Sequence, residues 1–263
     1  MRQIDLDALI EQLLPIARSA GDAIMAIYAS DSTEIQHKED ASPVTEADLA
    51  AHRILTAQLA PLLPDCPVVS EEDVGSQAFR QQSGRFWLID PLDGTKEFIA
   101  RNGEFTVNIA LVVDGQSVLG VVYAPAIDAM YWGGIGLGAF RCVADEKVAI
   151  KVSVDGVSSS CRVVASKSHL NDATQSFIDR LGAVSLIQAG SSLKFCRVAE
   201  GAADIYPRLA PTCEWDTAAA QAVLEGAGGV VLDLDGQPLM YGKPNVLNTS
   251  FIASRDRTLI PHD

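Results

Sequence analysis

The chain has 263 residues, which is long for one compact core and short for three, so its length predicts one large unit or two closely packed halves. Its 48% hydrophobic and 21% charged content is that of a globular protein and excludes general disorder. The formal net charge of −14 argues against nucleic acid or an anionic membrane surface as the main partner, because both require a basic patch.

Two helices come first in the predicted order of elements. Apolar residues recur at three-and-four spacing from Leu6 to Ile27, which predicts one face of a long helix that Pro15 kinks or offsets in its first turns. Thr45 and Asp48 have the spacing of a capping box, with Asp where Glu or Gln is more usual, and predict the start of a second helix.

Strands follow the second helix. The segments "PVVS", "RFWLID", "EFTVNIALVV" and "SVLGVVYAP" between 67 and 125 predict strands, and the Asp114-Gly115 turn makes the last two a hairpin. "GGIGLG" at 133 to 138 is similar to a dinucleotide-binding fingerprint, but it follows a hairpin strand and no helix follows it, so it predicts a bend. The first half is therefore predicted to be two helices against a largely antiparallel sheet.

The second half alternates strands and helices. "CRVVAS", "AVSLIQ", "DIYPR" and "GVVLDL" predict strands, and helices are predicted after Asn171, through "SLKFCRVAEGAA" and through "EWDTAAAQAVLEGAG". A shift of composition near residues 145 to 160 divides the chain into an α+β domain, 1–150, and an α/β domain, 151–263. We expect the first domain to carry the metal site and the second to bind substrate and close the site.

The five cysteines are widely spaced and form no C-x-x-C motif, which predicts free thiols in a reducing compartment. The sequence has neither the basic and apolar regions of a secretion signal nor an apolar run of membrane-spanning length. We therefore expect a cytoplasmic location.

The segment "WLIDPLDGTKEFI" at 87 to 99 suggests chemistry at the end of an apolar strand. Asp90 and Asp93 can converge on one point across the turn at Pro91, and the N–H groups at Gly94 and Thr95 would face the same point. The segment alone is more typical of a strand, an Asp-Pro turn and a helix cap than of a functional site.

Other acidic residues stand at similar places. Glu71 and Glu72 follow a short apolar strand, and Asp216 lies at the start of a helix. Each alone is typical of a solvated loop or an N-cap. Together with Asp90 and Asp93, in a chain with just four histidines, they predict a site for a hard dication such as Mg²⁺ rather than zinc or iron.

Glu71-Glu72, "DPLDGT" at 90 to 95 and "WDTA" at 215 to 218, in that order and at those separations, resemble the signature of the lithium-sensitive, Mg²⁺-dependent inositol monophosphatase superfamily. Within it, "SPVTEAD", "SEED", "NGEFTVNIALV", "LGVVYAP" and "GSSLKFC" resemble the 3'(2'),5'-bisphosphate nucleotidases of the CysQ type. The resemblance covers nearly the whole chain. It implies a layered αβαβα sandwich and two or three Mg²⁺ ions per active site.

The resemblance also implies the ligands of the metals. One Mg²⁺ is held by Glu71, Asp90 and the backbone carbonyl of Leu92, and a second by Asp90, Asp93 and Asp216. Phosphate-binding residues overlap this set and are Glu71, Leu92, Asp93, Gly94, Thr95 and Asp216. Catalytic roles are implied for Asp48, Glu71 and Thr95, with the Thr95 hydroxyl and the Asp48 carboxylate accepting the proton of the attacking water.

Substrate selection is expected from the second half. Gly190, Ser191, Ser192 and Lys194 stand at a strand-to-helix junction that can hold a second phosphate, although the spacing is not that of a P-loop. The resemblance implies that Ser191, Lys194, His169 and Arg208 bind the nucleotide. Taken singly, His169 is equally typical of a helix entry and Arg208 of a surface ion pair.

The implied reaction is removal of the 3'-phosphate of adenosine 3',5'-bisphosphate to give AMP and phosphate, linked to sulfate assimilation, with the sulfated analogue as a second substrate. The alternatives are an inositol monophosphatase, a fructose-1,6-bisphosphatase and a noncatalytic nucleotide sensor. The partner is a small molecule rather than nucleic acid. The resemblance leaves open a monomer or homodimer and peripheral association with the inner face of the cell membrane.

Overall fold

The computed structural model describes residues 5–30, 35–37, 43–154, 160–165 and 171–260. The helices are α1 (Leu6–Tyr28), α2 (Glu46–Leu59), α3 (Phe79–Gln82), α4 (Thr95–Ile99), α5 (Asp172–Arg180), α6 (Leu193–Ala199) and α7 (Glu214–Gly226). The strands are β1 (Ile35–His37), β2 (Pro43–Thr45), β3 (Val68–Ser70), β4 (Arg85–Asp93), β5 (Thr106–Val113), β6 (Gln116–Ala124), β7 (Ala129–Gly134), β8 (Gly138–Val143), β9 (Glu146–Ile150), β10 (Cys161–Ala165), β11 (Val184–Gln188), β12 (Ile205–Arg208), β13 (Val230–Asp233) and β14 (Phe251–Ser254).

The larger sheet has seven strands in the order β3-β4-β5-β6-β7-β8-β9. Strand β3 is parallel to β4, and every other pair is antiparallel, as the alternating pattern predicted. The "GGIGLG" segment forms the end of β7, a turn and the start of β8. The prediction of a bend there is confirmed.

The smaller sheet has five strands in the order β11-β10-β12-β14-β13. Strands β11, β10 and β12 are parallel, whereas β14 is antiparallel to both of its neighbours. The predicted alternation of strands and helices in the second half is confirmed, but β14 was not predicted. Its four residues follow a loop with no periodic pattern, although the strand lies inside the sheet and is completely buried.

Three apolar clusters show how the layers stack. The first joins α1 and α2 to one face of the larger sheet, the second places α6 and α7 between the two sheets, and the third joins α5 to the outer face of the smaller sheet. These contacts form the predicted αβαβα sandwich. The division into domains 1–150 and 151–263 stays a prediction, since the middle cluster draws side chains from both sides of that boundary.

Helices α1 and α2 test two local predictions. Helix α1 is continuous through Pro15, so the proline does not divide it. Helix α2 begins after Thr45, which accepts from the N–H of Ala47 at 3.2 Å, while Asp48 accepts from the N–H of Thr45 at 2.7 Å. The capping box is therefore confirmed with Asp48 as its acid. In the described part of the chain, no helix is both long and apolar enough to cross a bilayer.

Candidate active site

An irregularity in strand β4 brings Asp90 and Asp93 to one face of the sheet. Asp90 is opposite Asn108 in β5, and Asp93 is opposite Thr106, so three steps along β4 match two steps along β5. Paired residues share a face, and this bulge therefore turns both carboxylates the same way. The N–H of Leu92 donates to Asp90 Oδ1 at 3.1 Å inside the bulge.

Three acidic side chains meet beside the bulge. Glu71 directly follows β3, Asp90 lies near the end of β4, and Asp216 lies in the first turn of α7. One carboxylate oxygen of each residue lies within 4.8 Å of the others. This trio combines one residue from each predicted ligand set with Asp90, the residue predicted to be common to both.

The electrostatics of the trio are unfavourable without a cation. Burial raises the pKa of Asp90 well above its usual range, and the negative charges of Glu71 and Asp93 raise it further. Desolvation raises the pKa of Asp216 in the same way, and the negative charges of Asp93 and Glu71 raise it further. An ion bound between these oxygens would relieve both the desolvation and the repulsion. The all-oxygen donor set fits a hard dication such as Mg²⁺.

Asp93 is held differently from the trio. Its Oδ2 accepts from the backbone N–H of Ser192 at 2.7 Å and from the hydroxyl of Ser191 at 2.5 Å. Longer contacts reach the same oxygen from Asn108 Nδ2 at 3.3 Å and Thr106 Oγ1 at 3.5 Å. Asp93 therefore joins the bulge of β4 to the turn before α6.

Asp48 and Thr95 lie together, as the resemblance implied. Thr95 Oγ1 donates to Asp48 Oδ1 at 3.2 Å, while the second carboxylate oxygen of Asp48 accepts from the backbone and the hydroxyl of Thr45. Asp48 is 1% exposed. The capping role and the contact with Thr95 thus coexist, because each uses a different oxygen.

A pocket of about 230 Å³ opens over these groups. The predicted site residues that line it are Glu71, Asp93, Gly94, Thr95, Ser191, Lys194, Arg208 and Asp216. Asp90 and Leu92 lie buried beneath them. His169 falls outside the described residues, and its predicted role stays a prediction.

Two cationic side chains border the pocket together with its carboxylates. The ammonium of Lys194, on α6, lies 5.6 Å from the ring centroid of Tyr206, and burial lowers the pKa of this lysine to about 8. Arg208, at the end of β12, donates to the carbonyl of Pro211 at 3.1 Å. One anionic ligand in this pocket can therefore lie beside these two cations and also extend to the carboxylates of Glu71, Asp93 and Asp216.

Several pocket and support residues were missed from the sequence. Three mutually packed rings, Phe195, Tyr206 and Phe251, line the pocket, with centroid separations of 5.2 to 5.8 Å. Thr106 and Asn108, which contact Asp93, were not predicted as site residues either. A signal did exist for those two, because they are polar residues at alternate positions of a strand that is otherwise apolar.

Comparisons with known proteins agree on one family. The sequence model of the inositol monophosphatase family matches residues 5–261. The 3'(2'),5'-bisphosphate nucleotidase CysQ of Salmonella typhimurium is 46% identical over 246 residues, covering 92% of this chain and 98% of that protein. The protein of the same name from Escherichia coli is 45% identical over 249 residues, covering 94% and 99%.

Solved structures give the same result. The crystal structure of CysQ from Bacteroides thetaiotaomicron is similar with a TM-score of 0.85 and 40% identity, covering 96% of this chain and 98% of the other. The IMPase of Thermotoga maritima is similar with a TM-score of 0.77 and 27% identity, covering 94% and 92%.

Proposed function

The chain belongs to the inositol monophosphatase family, and from that premise we propose that it is a phosphatase that removes the 3'-phosphate of adenosine 3',5'-bisphosphate, yielding AMP and phosphate. The choice of substrate rests on one observation: the same pocket is lined by several carboxylates and by the cations Lys194 and Arg208. A substrate with two phosphates can use both features at once. Three packed rings, Phe195, Tyr206 and Phe251, are at most 3% exposed and support the wall of this pocket.

Glu71, Asp90, Asp93, Asp216 and the Leu92 carbonyl would hold the metal, which we propose to be Mg²⁺. When bound, Mg²⁺ ions neutralise phosphate oxygens and lower the pKa of a coordinated water. The donor set supports this choice, because every predicted ligand offers oxygen.

The chain's own residues prepare the attacking water. Because the Thr95 hydroxyl gives its hydrogen to Asp48, the oxygen of Thr95 can accept a hydrogen bond from a water on its other side. As that water attacks phosphorus in line with the 3'-oxygen, its proton moves to Thr95 and the proton of Thr95 moves to Asp48. The bond between phosphorus and the 3'-oxygen breaks in the same step, and the leaving 3'-oxygen takes a proton from solvent water. The buried position of Asp48, held by Thr45, keeps the acceptor carboxylate in place.

Phosphate release from a panel of substrates tests the proposal. The panel contains adenosine 3',5'-bisphosphate, its sulfated analogue, an inositol monophosphate and fructose 1,6-bisphosphate, each with Mg²⁺, with Ca²⁺ and with added Li⁺. We expect the highest kcat/KM for the bisphosphonucleotide with Mg²⁺ and inhibition by Li⁺.

Two results would overturn the proposal in different ways. Preference for the inositol or fructose ester would move the chain to another activity of the same family. Binding of the nucleotide without any metal-dependent phosphate release would make it a noncatalytic sensor. The cytoplasmic location, the link to sulfate assimilation and the monomer or homodimer state stay predictions.

A further inference from the structure

Ser192 is a buried serine that contacts two predicted metal ligands, the side chain of Asp93 and the backbone of Asp216. The sequence placed it among the candidates for phosphate binding. The Ser192 hydroxyl lies 2.9 Å from Asp93 Oδ2 and 2.8 Å from the backbone carbonyl oxygen of Asp216. Its backbone N–H donates to the same Asp93 oxygen at 2.7 Å. Ser192 is 1% exposed, so its hydroxyl is too buried to serve as an open contact for substrate.

The hydroxyl of Ser192 is itself held in position. Asn108 Nδ2 donates to Ser192 Oγ at 2.9 Å, so the single hydroxyl proton is left for Asp93 and the Asp216 carbonyl to share. The preceding turn is also constrained. Ser191 has φ +50°, and a Cβ at Gly190 would lie 2.7 Å from the carbonyl oxygen of Glu104. The turn therefore places Ser192 in one position against both ligand-bearing segments.

We infer that Ser192 is a positioning residue that sets the distance between the Asp93 carboxylate, on β4, and the first turn of α7, which carries Asp216. The inference rests on the proposed function for the identity of these residues as metal ligands. Partners that orient ligands in this way typically contribute about 10- to 100-fold to metal affinity. A serine that served only to fill space or satisfy a backbone group would contribute nothing to metal binding.

The chain offers a matched control for this distinction. Ser117 is also a buried serine, 3% exposed, and its hydroxyl donates to the carbonyl of Ala218 on the same helix at 2.7 Å. In the described part of the chain, its side chain forms no hydrogen bond with a predicted ligand. Ser192→Ala and Ser117→Ala each delete one buried hydroxyl that contacts a carbonyl of α7, and only the first deletes a contact with Asp93.

The test is calorimetric titration of the metal-free full-length protein with MgCl₂, together with the rise of the thermal midpoint on Mg²⁺ addition. We expect Ser192→Ala to weaken Mg²⁺ binding by about tenfold and to raise by a similar factor the Mg²⁺ concentration needed for half-maximal phosphate release. Ser117→Ala should match the parent in both, and Ser192→Cys, a near-isosteric and weaker donor, should be intermediate.

Two outcomes would overturn the inference. One is unchanged Mg²⁺ affinity in Ser192→Ala. The other is equal loss in Ser117→Ala, which would reduce the effect to general loosening of α7. The titration contains no substrate, so a preference for another phosphate ester would overturn the proposed substrate and leave the result for Ser192 intact.

Discussion

Helix α7 begins with two carboxylates that lie in opposite electrostatic surroundings. Glu214 has no exposed surface, yet its charge is matched by Arg80 at 3.0 Å and by the ammonium of Lys243 at 2.8 Å. The backbone N–H groups of Gly242 and Lys243 donate to its two oxygens as well. Asp216, two residues later, is half-buried among other acids, and its pKa is raised by desolvation and by the charges of Asp93 and Glu71.

The difference teaches how to separate a structural acid from a functional one. A buried carboxylate surrounded by cations and N–H donors is complete without a ligand. A buried group of carboxylates is complete only when a cation joins it, because like charges in a poorly solvated site repel one another. Burial alone therefore does not mark the site; the sign of the neighbouring charges does.

The largest effect is expected for Asp90→Asn. Removing the charge that both predicted metals share should lower kcat by about 10³-fold, equivalent to about 4 kcal/mol. Because the substitution also relieves repulsion, we expect the metal-free variant to unfold at an equal or higher temperature than the parent. Phosphate release and thermal unfolding in EDTA measure both. Asp114→Asn, at an exposed turn, is the control. If Asp90→Asn kept activity near that of the parent, Asp90 would be ruled out as the ligand shared by both metals.

The next effect is expected for Glu214→Gln and has the opposite sign in stability. Loss of this charge leaves Arg80 and Lys243 without their buried partner, so the free energy of unfolding should fall by about 3 kcal/mol. Urea unfolding in EDTA measures the loss. If the variant were as stable as the parent, the cations around Glu214 would not stabilise its charge, and the contrast between Glu214 and Asp216 would be wrong.

The sequence predicted the parts of this site that depend on neighbouring residues. Thr45 and Asp48 are three positions apart, and their capping box follows from helix geometry. The sequence predicted that Asp90 and Asp93 converge across a turn at Pro91, whereas in the structure a bulge inside β4 aligns them, and that bulge depends on pairing with β5. The fold class followed from the change of hydrophobic period along the chain.

Contacts between segments that are distant in the chain could not be predicted from the sequence. Arg80 reaches Glu214 across 134 positions, and the N–H of Ser192 reaches Asp93 across 99. Neither residue type nor local spacing specifies such pairs, because tertiary packing decides which segments meet. The assignment of metal and nucleotide roles therefore came from resemblance, whereas the structure supplied the residues that hold those groups in place.

A smaller effect is expected for Lys194→Met, which removes a buried cation that faces the pocket. We expect KM for the bisphosphonucleotide to rise about 20-fold at pH 7, close to 2 kcal/mol, with a smaller change in kcat. Since the pKa of Lys194 is lowered to about 8, the parent should lose its charge as pH rises through 8, and its KM should rise between pH 7 and 9.

The Lys194→Met variant supplies the control for that pH dependence. Its KM should lack the rise that the parent shows between pH 7 and 9, because the titrating group is gone. An inositol monophosphate, which has one phosphate, should show little change of KM in the variant. A KM for the bisphosphonucleotide equal to that of the parent at pH 7 would exclude Lys194 from binding the second phosphate.

The smallest effect is expected at the other end of α7, where Glu225 gives the comparison a third case. This carboxylate accepts from the amide of Gln221 at 2.9 Å, and burial raises its pKa from 4.5 to about 7. Below pH 4.5 the group is protonated in both the folded and the unfolded chain. Between pH 4.5 and 7 the unfolded chain releases the proton first, so stability falls as pH rises through this window.

Glu225→Gln should therefore raise the free energy of unfolding at pH 8 by about 1 kcal/mol and leave it unchanged at pH 4. The glutamine can keep the contact with Gln221 through its own carbonyl oxygen, so the variant isolates the charge. Urea unfolding at the two pH values measures it, with Glu11→Gln on the exposed face of α1 as the control. Within the described residues, Glu225 forms no ion pair and no acidic group shifts its pKa, so this carboxylate would then cost stability without creating a site. The acidic cluster around Asp216, and not burial alone, would remain the mark of function.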